Sequence, residues 1–390
     1  MQQQAPHSTE TKGSSQTKPF DGLNIVDVSG TVATSYACKL FADYGATVTN
    51  VEPAQGFPTR QLKPFIPSTP GEEPVSAMHG YLHCNKASVV GNHNNLATEP
   101  AVTQADLIVY DPATLPNTDS LAGINTNTCA ISWFGLTGPY AKYQGSDGVI
   151  HALTGLMKGI GEEAGPPIIP NGVQAQIVGG LSAFNGALGH LLGQLMGNLK
   201  QPFALDNSIF EANMCMTDLM AINAFNENPL PPRMGINRFP PTYPLGIWPC
   251  KDGWLGVTAL TPSQWRAFCQ LLSLDDFVGV DFFNASINRL ASADVLEPAI
   301  IQALATHSTE ALFHKGQAMR IPLARVPTME ELFTVDQYVS RQAFSNISMQ
   351  DSTFLAPSIP FRLFDTPPHF GGRVAALGED NGLDFAETKV

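Results

Sequence analysis

Between Leu23 and Glu52 the chain carries an apolar run, then a helical pattern, then a second apolar run, separated only by tight turns. The first run, LNIVDV, ends before Ser29-Gly30. From Val32 to Tyr44, Ala37, Leu40 and Phe41 recur at helical spacing, and Gly45 closes the helix from the position where a left-handed backbone suits glycine. Ala46 to Val51 then reads as a second strand with Glu52 at its end. Short runs that are apolar on both faces and joined through a helix pair in parallel, so this β-α-β unit opens a doubly wound α/β sheet. Further strands read at Ala87–Gly91, Asp106–Tyr110 and Cys129–Trp133, the last running into the glycine-rich FGLTGPY. Helical patterns follow from Asp147 to Met157 and from Ile177 to Leu199. The second is rich in Gly, Ala and Leu; its glycines lower helix propensity, so close packing must hold it.

The punctuation then changes. Residues 226–244, NENPLPPRMGINRFPPTYP, hold six prolines and read as a rigid linker. IWPCKDGWLGVTA reads as a hairpin turning at Asp252-Gly253. Helices are expected at Ser263–Leu272, Val295–Ala305, Thr309–Ala318 and Val335–Gln342, and a last strand at Ser358–Leu363. The expected organisation is a disordered tail over 1–18, a large Rossmann-like domain over 19–225, the linker, a small α+β domain over 245–320, and a return segment over 321–390.

Several function classes are disfavoured. The formal charge is −13 with 21 basic residues and no basic run, which argues against a nucleic-acid partner. No stretch reaches the roughly 18 apolar residues of a membrane span, and the polar opening lacks a secretory apolar core. Six scattered cysteines read as free, mostly buried thiols, so the expected location is cytoplasmic. His79 and His83 have a metal-like helical spacing without a third ligand, so no metal is expected. SGTVATS lacks the dinucleotide glycine pattern, FGLTGP is not followed by a phosphate-binding lysine, and there is no GxSxG elbow.

Four segments in order resemble the family III CoA-transferases, also called CaiB/BaiF. They are LNIVDVSGTVATSYACKLFADYGATVTNVEP, ISWFGLTGPYAKYQGSDGVIHALTGLM, RMGINRFPPTYPLGIWPCKDGWLGVTALTPSQWRAFCQLL and RIPLARVPTMEELFTVDQ, so the likeness runs from about Phe20 to about Glu379. The resemblance implies a Rossmann-like large domain built from both chain ends, an inserted small domain, and two ring-shaped subunits interlocked as a dimer. It also implies an activity: an aspartate attacks a thioester, and an aspartyl–CoA thioester then passes CoA to a second acid.

The aspartate position falls in NGVQAQIVGG, where this chain has Gln176. A carboxamide is a very poor nucleophile, but it donates and accepts hydrogen bonds and suits holding a thioester carbonyl or a carboxylate. The racemase branch needs a histidine before Asp147 and an acid at the position of Gln176; Ser146 and the glutamine remove both. His151 is a nearby titratable group. Basic contacts to CoA are also thinned: Pro53 follows Glu52, Asn85-Lys86-Ala87-Ser88 keeps only the lysine, and YDPATLPNTDS holds no basic residue. Each lost charge-assisted bond costs roughly 1.5–3 kcal/mol.

The resemblance therefore places Gln176, Asp147 and His151 as candidate catalytic residues. Thr31, Phe134, Gly135 and Ser146 join them around the substrate, with Arg60 and Lys86 steering an anionic end. Three readings follow: a divergent enzyme on an acyl-CoA or related carboxylate, without a tightly bound cofactor and with CoA as a possible substrate; the non-nucleophilic half of a heterodimer rather than a homodimer; or a scaffold turned to lyase, hydratase or isomerase chemistry.

Overall fold

The computed structural model describes residues 17–66, 74–217, 222, 225 and 233–383. Residues 1–16 of the expected tail and 226–232 of the expected linker lie outside them. The chain divides into two compact units, one made of 1–150, 172–213 and 339–390, the other of 151–171 and 214–338.

The first unit is built on six parallel strands: β1 (Asn24–Asp27), β2 (Thr47–Glu52), β3 (Ala87–Val90), β4 (Leu107–Tyr110), β5 (Asn127–Ser132) and β6 (Ala204–Ser208). Their order is β3-β2-β1-β4-β5-β6, the doubly wound order that reverses between β1 and β4. Helix α1 (Val32–Asp43) is buried along almost its whole length. Thr31 caps it, accepting from the Thr34 N–H while the Thr34 hydroxyl accepts from the Thr31 N–H. The expected helix at Asp147–Met157 is shorter: α3 (Asp147–Leu153) stops before Gly155, whose φ of +79° breaks it, and a 3-10 turn follows. Helix α4 (Gln174–Leu195) starts three residues before the sequence reading. A Cβ on its Gly180 would lie 2.6 Å from the Ala33 carbonyl oxygen, so the glycine is what lets α1 and α4 touch. Ile25, Leu40, Phe41, Val109, Ile131 and Phe184 fill the core between these helices and the sheet.

The strands near the chain's end differ from expectation. Ser358–Leu363 is irregular; the strands are β10 (Phe344–Met349), β11 (Ser352–Pro357) and β12 (Gly372–Val374). Pro357 and Pro360 cannot donate to a ladder, and Tyr44 holds Phe361 by ring stacking at 4.2 Å and a hydroxyl bond to its carbonyl. The chain then covers the edge strand β3: Asp380 accepts from the Ser88 N–H and Asn381 from the Val90 N–H. Helix α2 (Ala77–His83) packs against this smaller sheet through Gly80, beside Phe354 and Met349.

The second unit holds a three-stranded antiparallel sheet of β7 (Leu245–Cys250), β8 (Gly253–Thr258) and β9 (Leu323–Arg325), with α6 (Ala293–Leu304) and α7 (Thr309–Ala318) among its helices. The hairpin turns at Lys251-Asp252, because Gly253 already pairs with Cys250. The unit's boundaries differ from the sequence reading. β9 keeps Leu323–Arg325 in this unit rather than in a return segment, and Arg233 ties 151–171 to it by donating to the Gly165 carbonyl. Residues 233–244 belong to this unit rather than to a linker, and only their end, Tyr243 and Pro244, is buried. Tyr243 is fully buried, and the enclosed Arg289 donates to the carbonyls of Tyr243, Phe283, Asn284, Ala259 and Leu260 while lying over the Trp265 ring.

Candidate active site

Two helix starts meet in the first unit. Asp147 opens α3, and Gln176 is the third residue of α4. The first-turn N–H groups of a helix have no partner within it. Asp147 Oδ1 accepts the Gln176 N–H at 3.2 Å, and its Oδ2 accepts from Gln176 Nε2 at 2.8 Å. A carboxylate only accepts, so the amide must turn its nitrogen inward. Gln176 Oε1 and the second Nε2 hydrogen are left over; Oε1 has no hydrogen-bond partner among the described residues. Both side chains are half-buried. The negative charge also sits favourably at the positive end of the α4 dipole.

An aromatic wall is joined to the start of α4 through α5 (Ile209–Met214). β5 ends at Ser132, whose hydroxyl accepts the Gly135 N–H, and Gly135 takes a φ of +85° that turns the loop. The Leu136 N–H is bound by the Asp206 carboxylate at the end of the loop's turn. Phe134 meets Phe210, Tyr140 and Tyr143, with the two tyrosines stacked at 4.8 Å. Phe210 belongs to α5, whose Asn213 donates to the Ala175 carbonyl, so this wall is tied to the residue beside Gln176.

The other candidates go elsewhere. Arg60 donates to both oxygens of the fully buried Glu52, through Nε at 2.8 Å and Nη2 at 2.6 Å. Glu52 also accepts from the Ser88 hydroxyl and the Phe57 N–H. Lys86 is buried and donates to the Ser35 carbonyl at 2.8 Å; burial pulls its pKa down, and a lysine so enclosed has no route to an incoming anion. The steering role read for Lys86 is therefore corrected by its burial. Thr31 is spent on capping α1. Ser146 is exposed, and its hydroxyl accepts from the Val149 N–H. His151 is buried, falls in the second unit, and neither ring nitrogen has a hydrogen-bond partner among the described residues.

His79 and His83 are stacked at 4.2 Å and bridged by the Thr59 hydroxyl, at 2.9 and 3.0 Å. Burial holds both well below the usual histidine range. No group of three metal-ligating side chains occurs among the described residues. Sequence reading placed Asp147 and Gln176 in one site but missed their mutual bond. The signal available was an acid and an amide each lying at a helix start.

Comparison with known proteins converges on one family. Residues 20–104 and 127–381 match CoA-transferase family III. The chain is 24% identical to a succinate–glutarate CoA-transferase of Agrobacterium fabrum, covering 95% of this chain and 96% of that protein. It is 24% identical to an acetyl-CoA:oxalate CoA-transferase of Acetobacter aceti, covering 92% and 93%. A succinyl-CoA–L-malate CoA-transferase alpha subunit of Chloroflexus aurantiacus is 22% identical, covering 97% and 89%. The crystal structure of a CaiB/BaiF family protein from Brucella suis superimposes with a TM-score of 0.81 at 23% identity, over 96% of this chain and 100% of that one. No helix among the described residues is long and apolar enough to cross a membrane.

Proposed function

The chain belongs to CoA-transferase family III, and from that membership we propose that it carries out acyl exchange on a thiol, moving the thiol of an acyl thioester to an acceptor carboxylate without a covalent adduct on residue 176. The names of its relatives, which pair CoA thioesters or dicarboxylates such as succinate, glutarate and oxalate, support this substrate class. The observation that carries the proposal is the Gln176–Asp147 clamp. The lone pair of an amide nitrogen is delocalised into its own carbonyl and does not attack a carbonyl carbon, and the clamp fixes this amide as a hydrogen-bond donor.

In this reading the acceptor carboxylate attacks the thioester carbon itself. The C–S bond breaks, the thiolate leaves, and an anhydride forms between the two substrates. The thiolate then attacks the other carbonyl, the anhydride C–O bond breaks, and the first acid departs. The free Nε2 hydrogen of Gln176 stabilises the oxyanion, an effect worth about a hundredfold or more for one donor. Asp147 is a positioning residue: it fixes which face of the amide is presented.

The test is transfer from a panel of acyl thioesters to dicarboxylates by the wild type, Gln176→Ala and Asp147→Asn. Both variants are expected to lose kcat with little change in KM. Full turnover by Gln176→Ala, or no transfer by the wild type with any pair, overturns the reading. The second outcome favours a subunit role, which the Chloroflexus relative's designation as an alpha subunit supports. Co-expression with an aspartate-bearing family member would then restore activity. A homodimer is the corresponding assembly if the chain works alone.

A further inference from the structure

In a doubly wound sheet, ligands sit outside the carboxyl ends of the strands where the strand order reverses. Here a cavity of about 370 Å³ lies at that place, lined from the segments that follow β1, β2, β3 and β4. Its polar side chains are neutral: Ser29, Gln55, Gln61, His93 and Thr114. Among the described residues, no lysine or arginine lines it. Arg60 lies in the same segment as Gln61 but turns to Glu52, and Lys86 is enclosed.

The remaining charges nearby are acidic. Asp27 is buried, accepting from the Ser29 and Gly30 N–H groups, and Asp111 accepts from the Ala113 N–H. His93 Nε2 lies 2.9 Å from the Val51 carbonyl, which only accepts, so Nε2 carries the hydrogen and Nδ1 is left as an acceptor. Burial lowers the pKa of this ring. Ser29 and Thr114 bond each other at 2.8 Å, whereas both glutamines are exposed. The crevice thus offers amides, hydroxyls and one imidazole acceptor, and its lining carries no lysine or arginine; Arg60, which packs behind Gly56, is paired with Glu52.

We infer that this crevice takes an uncharged, amide- and hydroxyl-bearing carrier of the pantetheine type, so that the acyl thioester brought to Gln176 carries no nucleotide phosphates. The inference rests on the acyl-transfer reading given above and narrows its thiol. The cavity is at the small end of the ligand-site range, consistent with a carrier lacking a nucleotide.

Calorimetry on the full chain with pantetheine, 4′-phosphopantetheine, 3′-dephospho-CoA and CoA tests it. Pantetheine is expected to bind at least as tightly as CoA. Binding of CoA more than tenfold tighter than pantetheine, or no binding of pantetheine, overturns the inference. Gln55→Arg combined with Gln61→Arg changes two exposed positions and locates the site. CoA affinity should rise roughly tenfold or more and become salt-dependent, while pantetheine, which has no phosphate for the arginines and loses the two side-chain amides, gains nothing. An unchanged CoA affinity removes the ligand from this crevice. The two failures separate: tight CoA binding with transfer from acyl-CoA sinks only the inference, whereas pantetheine binding without transfer from either thioester sinks only the acyl-transfer reading.

Discussion

Restoring an aspartate at position 176 should damage this protein rather than repair it. The Gln176 amide donates to Asp147 at 2.8 Å, and Gln176→Asp turns that donor into a second carboxylate. Two charges about 4 Å apart at an effective dielectric constant near 20 repel by about 4 kcal/mol. Half-burial halves this to about 2 kcal/mol, and loss of a charge-assisted hydrogen bond adds about 1.5 kcal/mol. The net cost is about 3–4 kcal/mol at neutral pH. Two facing carboxyls retain a shared proton, so the folded variant binds more protons than its unfolded chain, and its stability falls as pH rises. Adding Asp147→Asn reverses the polarity of the pair. In that double variant the new amide at position 147 donates to the new carboxylate at position 176, and the amide oxygen still accepts the backbone N–H of residue 176. Urea unfolding at pH 5 and pH 8 of the wild type, both single variants and the double variant measures the coupling. The double variant should recover most of the loss at pH 8. A coupling energy below about 0.5 kcal/mol would refute the clamp.

Three further outcomes follow from the packing. His79 and His83 have folded pKa values held well below the unfolded value of about 6.5, so only the unfolded chain gains protons as pH drops beneath that value. Stability should therefore fall by up to about 1.4 kcal/mol per pH unit for each histidine, and denaturant midpoints that do not move between pH 7.5 and 5 would contradict this. Arg289→Ala removes a donor from five carbonyls, two of its bonds being buried and three part-buried, and should cost about 3–5 kcal/mol; a change under 1 kcal/mol in urea midpoint analysis would contradict the network. Gly180→Ala drives a Cβ to 2.6 Å from the Ala33 oxygen and should cost about 1–3 kcal/mol, whereas Gly189→Ala meets nothing within 4 Å and should stabilise by up to about 1 kcal/mol; equal thermal shifts would reject the close α1–α4 approach.

The sheet's first half was legible because β1, α1 and β2 agree in period, apolar content and turn chemistry. What escaped notice lacks those signals. β6, ALDNS, is a polar strand at the sheet's edge, paired on one side only, so no apolar run announces it. The β10–β11 hairpin turns at Gln350-Asp351 with Gln350 at φ +53°, where a glycine would have marked the turn. The buried charge of Arg289 is solvated by carbonyls from several loops, and sequence spacing carries no record of that convergence. At the site, the types of Gln176 and Asp147 could be read, but not their contact, because it depends on two helix starts that lie 29 residues apart. Arg60 and Lys86 look alike in sequence as anion handles; the fold gives one to Glu52 and encloses the other.

The most direct measurement is intact-protein and peptide mass spectrometry of the wild-type chain, quenched during turnover with an acyl thioester and a dicarboxylate acceptor. Transfer with the chain at its unmodified mass is the result expected of an amide held by Asp147. A CoA- or acyl-bearing adduct mapped to the peptide containing Gln176, formed and discharged at the rate of transfer, would contradict it.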